Sequence, residues 1–285
     1  MAEPLVSVII PAYRAAGTIG RAVRSLLAQS EEDWEAVIVA DDGRDYAALL
    51  AAAGLRDPRF RFLSSGRKAG GAPAARNIGL AAARGRLVTP LDADDLFASG
   101  RLARLVPPAL AEGAVIDNVL VVDDDSGASL GTAFPIDRPE ESLDAGRFLA
   151  GSTPLKPLVQ RSLFPGWDEA LGLCDDVVVN LRLFDRLGTI PLVATPLQEY
   201  RVRRQSICHS PDAAARAERD YGYILDRLAA DGYGLADPAL RRAATAAFTR
   251  KRDLNRAFDA AYRAGRAANF QEFVAGLAAT DRPPA

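Results

Sequence analysis

Over the first hundred residues, short apolar runs alternate with segments of helical periodicity. Leu5-Val-Ser-Val-Ile-Ile10 reads as a strand stopped by Pro11, and Thr18 stands where it can cap a helix whose Ile19, Ala22, Val23, Leu26 and Leu27 share one face. Glu35-Ala-Val-Ile-Val-Ala40 is a second strand, ending in Asp41-Asp-Gly43. A helix over about 45–53 and a short strand at 59–63 follow. A glycine-rich stretch, Gly66 to Pro73, leads into a helix over 74–84, and Arg86-Leu-Val-Thr-Pro-Leu91 is the next strand. Strand–helix–strand repetition of this kind predicts a doubly wound, mostly parallel sheet flanked by helices.

From about residue 98 the rhythm changes. A helix over 99–111 precedes an antiparallel hairpin, 114–122 and 129–134, whose turn Asp123-Asp-Asp-Ser-Gly127 is ordinary turn chemistry. Further strands are expected at 155–160, 190–195 and 198–202, with a helix over 174–187 between them. After Pro211 the pattern is helical throughout, over 211–229, 237–265 and 270–279. The expected division is therefore a domain over 1–210, with halves at about 1–97 and 98–210, and a helical extension over 211–285.

Composition narrows the function classes. The chain has 285 residues and a net charge of −2, so nothing suggests a general nucleic-acid binder. Its two cysteines, Cys174 and Cys208, make neither a disulfide framework nor a metal-binding spacing and read as small hydrophobes. No apolar run reaches 18 residues and no signal peptide is read at the start, so a cytoplasmic protein is expected. No G-x-G-x-x-G follows the first strand, where Pro11-Ala-Tyr13 stands instead. That disfavours a Rossmann dehydrogenase, and a P-loop is missing its Gly-Lys-Ser/Thr.

The candidate chemistry lies at strand ends and helix starts: Asp41/Asp42, Asp92/Asp94/Asp95 and Asp175/Asp176. Three carboxylates within four residues, at the carboxyl end of a strand, stand where α/β folds place ligands. Oxygen donors suit Mg²⁺ and Mn²⁺, although a solvated acidic turn explains the cluster equally well on its own.

Together with their surroundings these sites resemble the family 2 glycosyltransferases of GT-A fold. The resemblance runs through Ser7-Val-Ile-Ile-Pro-Ala-Tyr13, Ile38-Val-Ala-Asp-Asp-Gly43, Gly70-Gly-Ala-Pro-Ala-Ala-Arg-Asn-Ile-Gly79 and Leu91-Asp-Ala-Asp-Asp95. It continues in Gly166-Trp-Asp-Glu-Ala-Leu171, Cys174-Asp-Asp176, Leu181-Arg-Leu183 and Tyr200-Arg201 with Ser206, covering about residues 4–208. It implies an inverting enzyme that moves a sugar from a nucleotide diphosphate, a UDP-sugar here, to a saccharide or lipid-linked acceptor in bacterial surface or exopolysaccharide assembly. Pro11, Tyr13 and Asp42 are then expected at the nucleoside, with Tyr13 stacking on the base and Asp42 accepting the uracil N3–H. Arg76 and Asn77 are expected at the diphosphate, and Lys68 reads as an exposed side chain. Asp94 and then Asp92 are the expected ligands of Mn²⁺ or Mg²⁺, with Asp92 or Asp95 alternatively on the ribose.

Asp176 is the candidate base, with Asp175 in the place where the family pattern usually has Glu. A carboxylate at a helix start is stabilised ionised, as a base must be, and a simple helix cap is the competing reading. Trp167 serves either an acceptor sugar or the core. The family often has His near position 203, where Arg203 stands, so the third metal ligand is open between His209 and another group. The alternative to an enzyme is an inactive relative that binds sugar nucleotides or scaffolds. In the tail, Ala244, Phe248, Leu254, Phe258 and Tyr262 recur at helical spacing among many arginines, which reads as a packed helix with a solvated basic face. A peripheral contact with anionic lipid at the inner face of the membrane is the functional alternative.

Overall fold

The structure is a computed structural model, and it describes residues 3–135, 141–203, 212–267 and 273. The chain divides into two compact units, Met1–Val202 and Arg203–Ala285.

Unit one is a mixed α/β domain. In chain order it runs β1 (Val6–Ala12), α1 (Ile19–Leu27), β2 (Trp34–Ala40), α2 (Tyr46–Ala52), β3 (Phe60–Ser64), α3 (Ala72–Ala82), β4 (Leu87–Pro90) and β5 (Leu96–Phe97). It continues with α4 (Arg101–Glu112), β6 (Ala114–Asp123), β7 (Ser129–Thr132), β8 (Glu141–Asp144), α5 (Ala145–Ala150), β9 (Leu158–Gln160), α6 (Asp175–Leu187) and β10 (Thr189–Val202). The sheet order is β3-β2-β1-β4-β9-β6-β10-β5, with β7 on β6 and β8 on β10. The long ladders, β1 on β2 and β10 on β6, are parallel, whereas β9 joins β4 and β6 by short antiparallel pairings.

Every residue of β2 is buried, as a strand covered on both faces requires. Ala36 and Ile38 face one core with α1 and α4, while Val37 and Val39 face Ala75 and Ile78 of α3. Gly79 lets α3 approach β1: a Cβ there would stand 2.5 Å from Ile9 Cγ2.

The structure differs from the sequence expectations at several places, for physical reasons. β1 does not stop at Pro11 but runs to Ala12. Pro11 shares the parity of Ile9, whose carbonyl accepts from Leu91 N on the β4 side, and β4 has already ended there, so the missing N–H disrupts no ladder. Thr18 does not cap α1; its hydroxyl donates to Ala15 O at 3.3 Å. The two last strands are one, β10, whose register shifts on either side of Pro196. The strand expected over 155–160 is reduced to β9, and β5, β8 and α5 were not expected.

In unit two, α7 (Ala213–Asp231) and α8 (Pro238–Arg263) pack together. Tyr221 and Phe248 meet at 6.0 Å between ring centroids, and Asn255 Nδ2 donates to Ala214 O. Ala244 and Phe248 are buried as the spacing predicts, whereas Tyr262 is 45% exposed. Part of the basic face is spent on internal ion pairs, Arg256 with Glu218 and Arg263 with Asp259. No helix among the described residues is long and apolar enough to cross a membrane. Ser206, Cys208, His209 and nearly all of the helix expected at 270–279 lie outside the described residues.

Candidate active site

Three loops meet at the carboxyl ends of β1, β2 and β4. The loop after β2 is organised by its own acids. Asp41 is buried, and it accepts from Gly70 N at 3.1 Å and Gly71 N at 2.9 Å while its carbonyl accepts from Ala69 N. The glycine-rich stretch is thereby tied to the end of β2, with Gly71 at φ +97°, where a side chain would be strained.

Asp42 accepts from Arg14 N at 2.8 Å, Arg44 N at 3.0 Å and the Tyr46 hydroxyl at 3.0 Å. Burial pushes its carboxyl upward, but these donors outweigh it and hold the group below its ordinary value, while burial and Asp42 push Tyr46 up to about 12. An ionised carboxylate has about four acceptor positions, so one more donor fits. Tyr13 beside it is 44% exposed, with the Arg14 guanidinium 5.2 Å from its ring centre.

At the end of β4 the acidic loop is joined to the start of α6 by two buried cations. Arg76, on α3, donates through Nη2 to Asp92 at 2.6 Å and through Nη1 to Asp175. Lys156, just before β9, donates to Asp92 and, at 2.7 Å, to Asp95. A chain of charges therefore runs Asp95–Lys156–Asp92–Arg76–Asp175. Burial pushes Asp92 up, yet Lys156 and Arg76 prevail and hold its carboxyl far below the usual range. Asp95 is instead raised, by burial first and by Asp92 and Asp94. It also accepts from Arg201 N at 3.0 Å.

Asp176 is raised to about 6, by burial and then by the Asp175 charge, against the pull of Arg76 and Lys156. This reverses the sequence expectation that the helix start would dominate. Desolvation and a like neighbour outweigh the helix ending, and a base with a raised pKa holds a proton better than an ordinary Asp. Cys174, which precedes the pair, is left-handed at φ 63°, as are Arg14 and Ala69 in the two facing loops. Three of the four non-glycine residues with positive φ among the described residues thus border this site, where strained backbone commonly gathers.

The Asn77 amide serves the segment after β9, donating to Trp167 O and Glu169 and accepting from Trp167 N, all at 2.9 Å. Trp167 is buried against Phe164, with ring centres 4.5 Å apart, and so belongs to the core rather than to an open sugar platform. Lys68 is exposed. Asp123 accepts from Ser126 N and Oγ as turn chemistry requires, but Asp124 goes further, pairing with Arg21 at 2.5 Å and with Arg201 at 2.7 Å. Arg21 also donates to the Asp94 carbonyl at 3.0 Å.

Sequence reasoning missed Lys156 altogether. The available signal was a lysine, one of three in an arginine-rich chain, set inside the apolar run Pro154-Leu-Lys-Pro-Leu158. A charge in such surroundings needs a buried partner.

Mg²⁺ or Mn²⁺ suits the donor set. No three His, Cys, Asp or Glu side chains form a ready-made cage among the described residues. These ions are, however, commonly held by one or two carboxylates together with substrate phosphates. Asp94 lies half-buried in the same acidic loop, where the oxygens of Asp92 and Asp95 accept from Arg76, Lys156 and Arg201 N.

The sequence profile described as Glycosyl transferase family 2 matches residues 7–143. Succinoglycan biosynthesis protein ExoO of Rhizobium meliloti (strain 1021) is 43% identical over 248 residues, spanning 79% of this chain and 71% of that protein. The UDP-Glc:alpha-D-GlcNAc-diphosphoundecaprenol beta-1,3-glucosyltransferase WfgD of Escherichia coli is 35% identical over 102 residues, 36% of this chain and 40% of WfgD. Among solved structures, S. aureus TarS 1–349 in complex with UDP-GlcNAc superposes with a TM-score of 0.65 at 18% identity, over 86% of this chain and 72% of TarS. At that identity the superposition establishes a shared fold.

Proposed function

The chain belongs to glycosyl transferase family 2, and from that membership we propose that it transfers a sugar from a UDP-sugar to a hydroxyl of a saccharide or lipid-linked acceptor, in bacterial surface or extracellular polysaccharide assembly. The observation that carries the reading is the convergence of the acidic loop and the Asp175–Asp176 pair at the sheet's carboxyl edge, joined through Arg76. Supporting the donor and the pathway class are the names of the relatives: one makes succinoglycan, one uses UDP-Glc and a lipid diphosphate, and the TarS complex holds UDP-GlcNAc.

In this reading Tyr13 lies under the uracil, Pro11 borders it, and Asp42 accepts the N3–H with its remaining acceptor capacity. Arg76 lies at the diphosphate end, and Asp92 and Asp95 border the ribose and diphosphate. Asp94 is the carboxylate that holds Mg²⁺ or Mn²⁺, which when bound supplies Lewis-acid charge to the leaving diphosphate. Asp176 takes the proton of the acceptor hydroxyl as its oxygen bonds to the anomeric carbon and the carbon–oxygen bond to UDP breaks. Asp175, paired with Arg76, positions it. One displacement inverts the anomeric centre. A cytoplasmic location and a peripheral contact of the exposed Arg242, Arg250 and Arg266 with anionic lipid belong to the same proposal, since a lipid-linked acceptor lies at a membrane surface.

The test is turnover beside donor binding. Asp176→Asn removes the base and keeps the shape, so turnover should fall by roughly 10²- to 10⁴-fold while UDP-sugar affinity stays near that of the unmodified chain. Nuclear magnetic resonance of the product should show an inverted anomeric centre. If Asp175→Asn gives this pattern and Asp176→Asn does not, the base is the neighbour; a retained configuration contradicts the single displacement.

A further inference from the structure

Lys156 stands inside the candidate site without a part in the transfer just described. It is 4% exposed, and both sides of its backbone are anchored. Its carbonyl accepts from Arg101 Nη2 at 2.6 Å, and the preceding Leu155 carbonyl accepts from Asn180 Nδ2 at 3.0 Å. Arg101 is itself fully buried and held by Asp117 at 2.8 Å. The ammonium is thus delivered to Asp92 and Asp95 by a braced stretch of chain rather than by a mobile surface side chain.

Charge counting gives this placement a consequence. Four carboxylates, Asp92, Asp95, Asp175 and Asp176, gather around the two cations Arg76 and Lys156. Such a concentration of negative charge attracts divalent ions whether or not a nucleotide is present. Lys156 opposes this in two ways: it occupies oxygens of Asp92 and Asp95, and its fixed positive charge repels a second cation at close range.

Resting on the family reading above, we propose that Lys156 is a positioning residue, an internal counter-ion that keeps the acidic loop from loading Mn²⁺ or Mg²⁺ until a nucleotide brings its diphosphate. Asp92 is thereby reserved for Lys156 and Arg76. The diphosphate's negative charge then offsets the repulsion and supplies the missing oxygen ligands, so metal and donor load together.

Free Mn²⁺, followed by electron paramagnetic resonance during titration of the full chain, tests this without any turnover. The unmodified chain should bind Mn²⁺ weakly alone and at least tenfold more tightly with UDP. Lys156→Gln should raise the affinity without UDP at least tenfold and shrink the gain that UDP produces, while Lys156→Arg, which keeps the charge, should restore the original behaviour. Circular dichroism reports whether Lys156→Gln folds. If it does not, Lys156→Gln with Asp95→Asn removes one charge of each sign, and its affinity without UDP should still exceed that of Asp95→Asn alone. A folded variant whose affinity without UDP is unchanged or lower overturns the role of Lys156 alone. An unmodified chain in which UDP does not tighten Mn²⁺ binding overturns the metal-and-donor reading itself.

Discussion

Asp176 is where opposing electrostatic influences on a single residue decide the chemistry. Burial and Asp175 raise its pKa to about 6 from 3.8, so the folded state holds its proton more tightly than the unfolded chain does. Below pH 3.8 both states hold the proton and the full contribution is present. As pH rises from there to about 6 the unfolded chain gives the proton up while the folded state keeps it, so this residue's contribution to stability falls, and it levels off once the folded carboxyl also ionises above about 6. Turnover follows the opposite course, rising towards a plateau above about pH 6 as the base ionises. Asp176→Asn abolishes both trends. Its melting temperature relative to the unmodified chain should therefore increase between pH 5 and pH 8, and a gap that stays constant would show that Asp176 does not titrate in this range.

The same residue marks how far local sequence reaches. That an acid stands at the start of α6 was legible in Cys174-Asp-Asp176, but its environment was not, because Arg76 contacts Asp175 from 99 residues away. Lys156 was illegible for the same reason, its partners Asp92 and Asp95 lying 64 and 61 residues distant. Neither separation leaves a periodic trace.

Among the elements, the glycine-rich stretch owes its shape to Asp41 rather than to its own residues. Each carboxylate oxygen accepts one N–H, from Gly70 and from Gly71. Asp41→Ala leaves those donors without a partner, which should cost on the order of 2 kcal/mol in urea unfolding, as lost bonds to a charged group typically do. The loop also borders the proposed nucleotide site, so UDP affinity should drop more steeply than stability. A variant that loses stability and keeps UDP affinity would make the tie purely structural. The strands buried along nearly all their length, β1, β2 and β4, were legible as apolar runs, whereas the two-residue β5 and the four-residue β8 are defined by pairing with β10 and carry no signal of their own. At Pro196, a residue that reads as a strand break instead sits between two register shifts inside β10.

For the molecule as a whole, the alternation of strand and helix over the first hundred residues carries most of the architecture, and parallel pairing of β1, β2, β3 and β4 aligns their carboxyl ends at one edge. Arg76, Lys156, Asp175 and Asp176 reach that edge from other parts of the same unit, which is why individually weak motifs converge on one site. The central claim, that this edge binds a UDP-sugar, is tested by the melting temperature of the full chain with UDP-, GDP- and dTDP-sugars, each with and without Mn²⁺. A ligand at 100 times its dissociation constant adds roughly 2.7 kcal/mol of stability. The UDP-sugar with Mn²⁺ should give the largest rise, and Asp42→Ala should remove the preference for uridine while Asp94→Ala removes the effect of Mn²⁺. A rise that is equal for all three nucleotides, or absent for the UDP-sugar with Mn²⁺, would contradict the account.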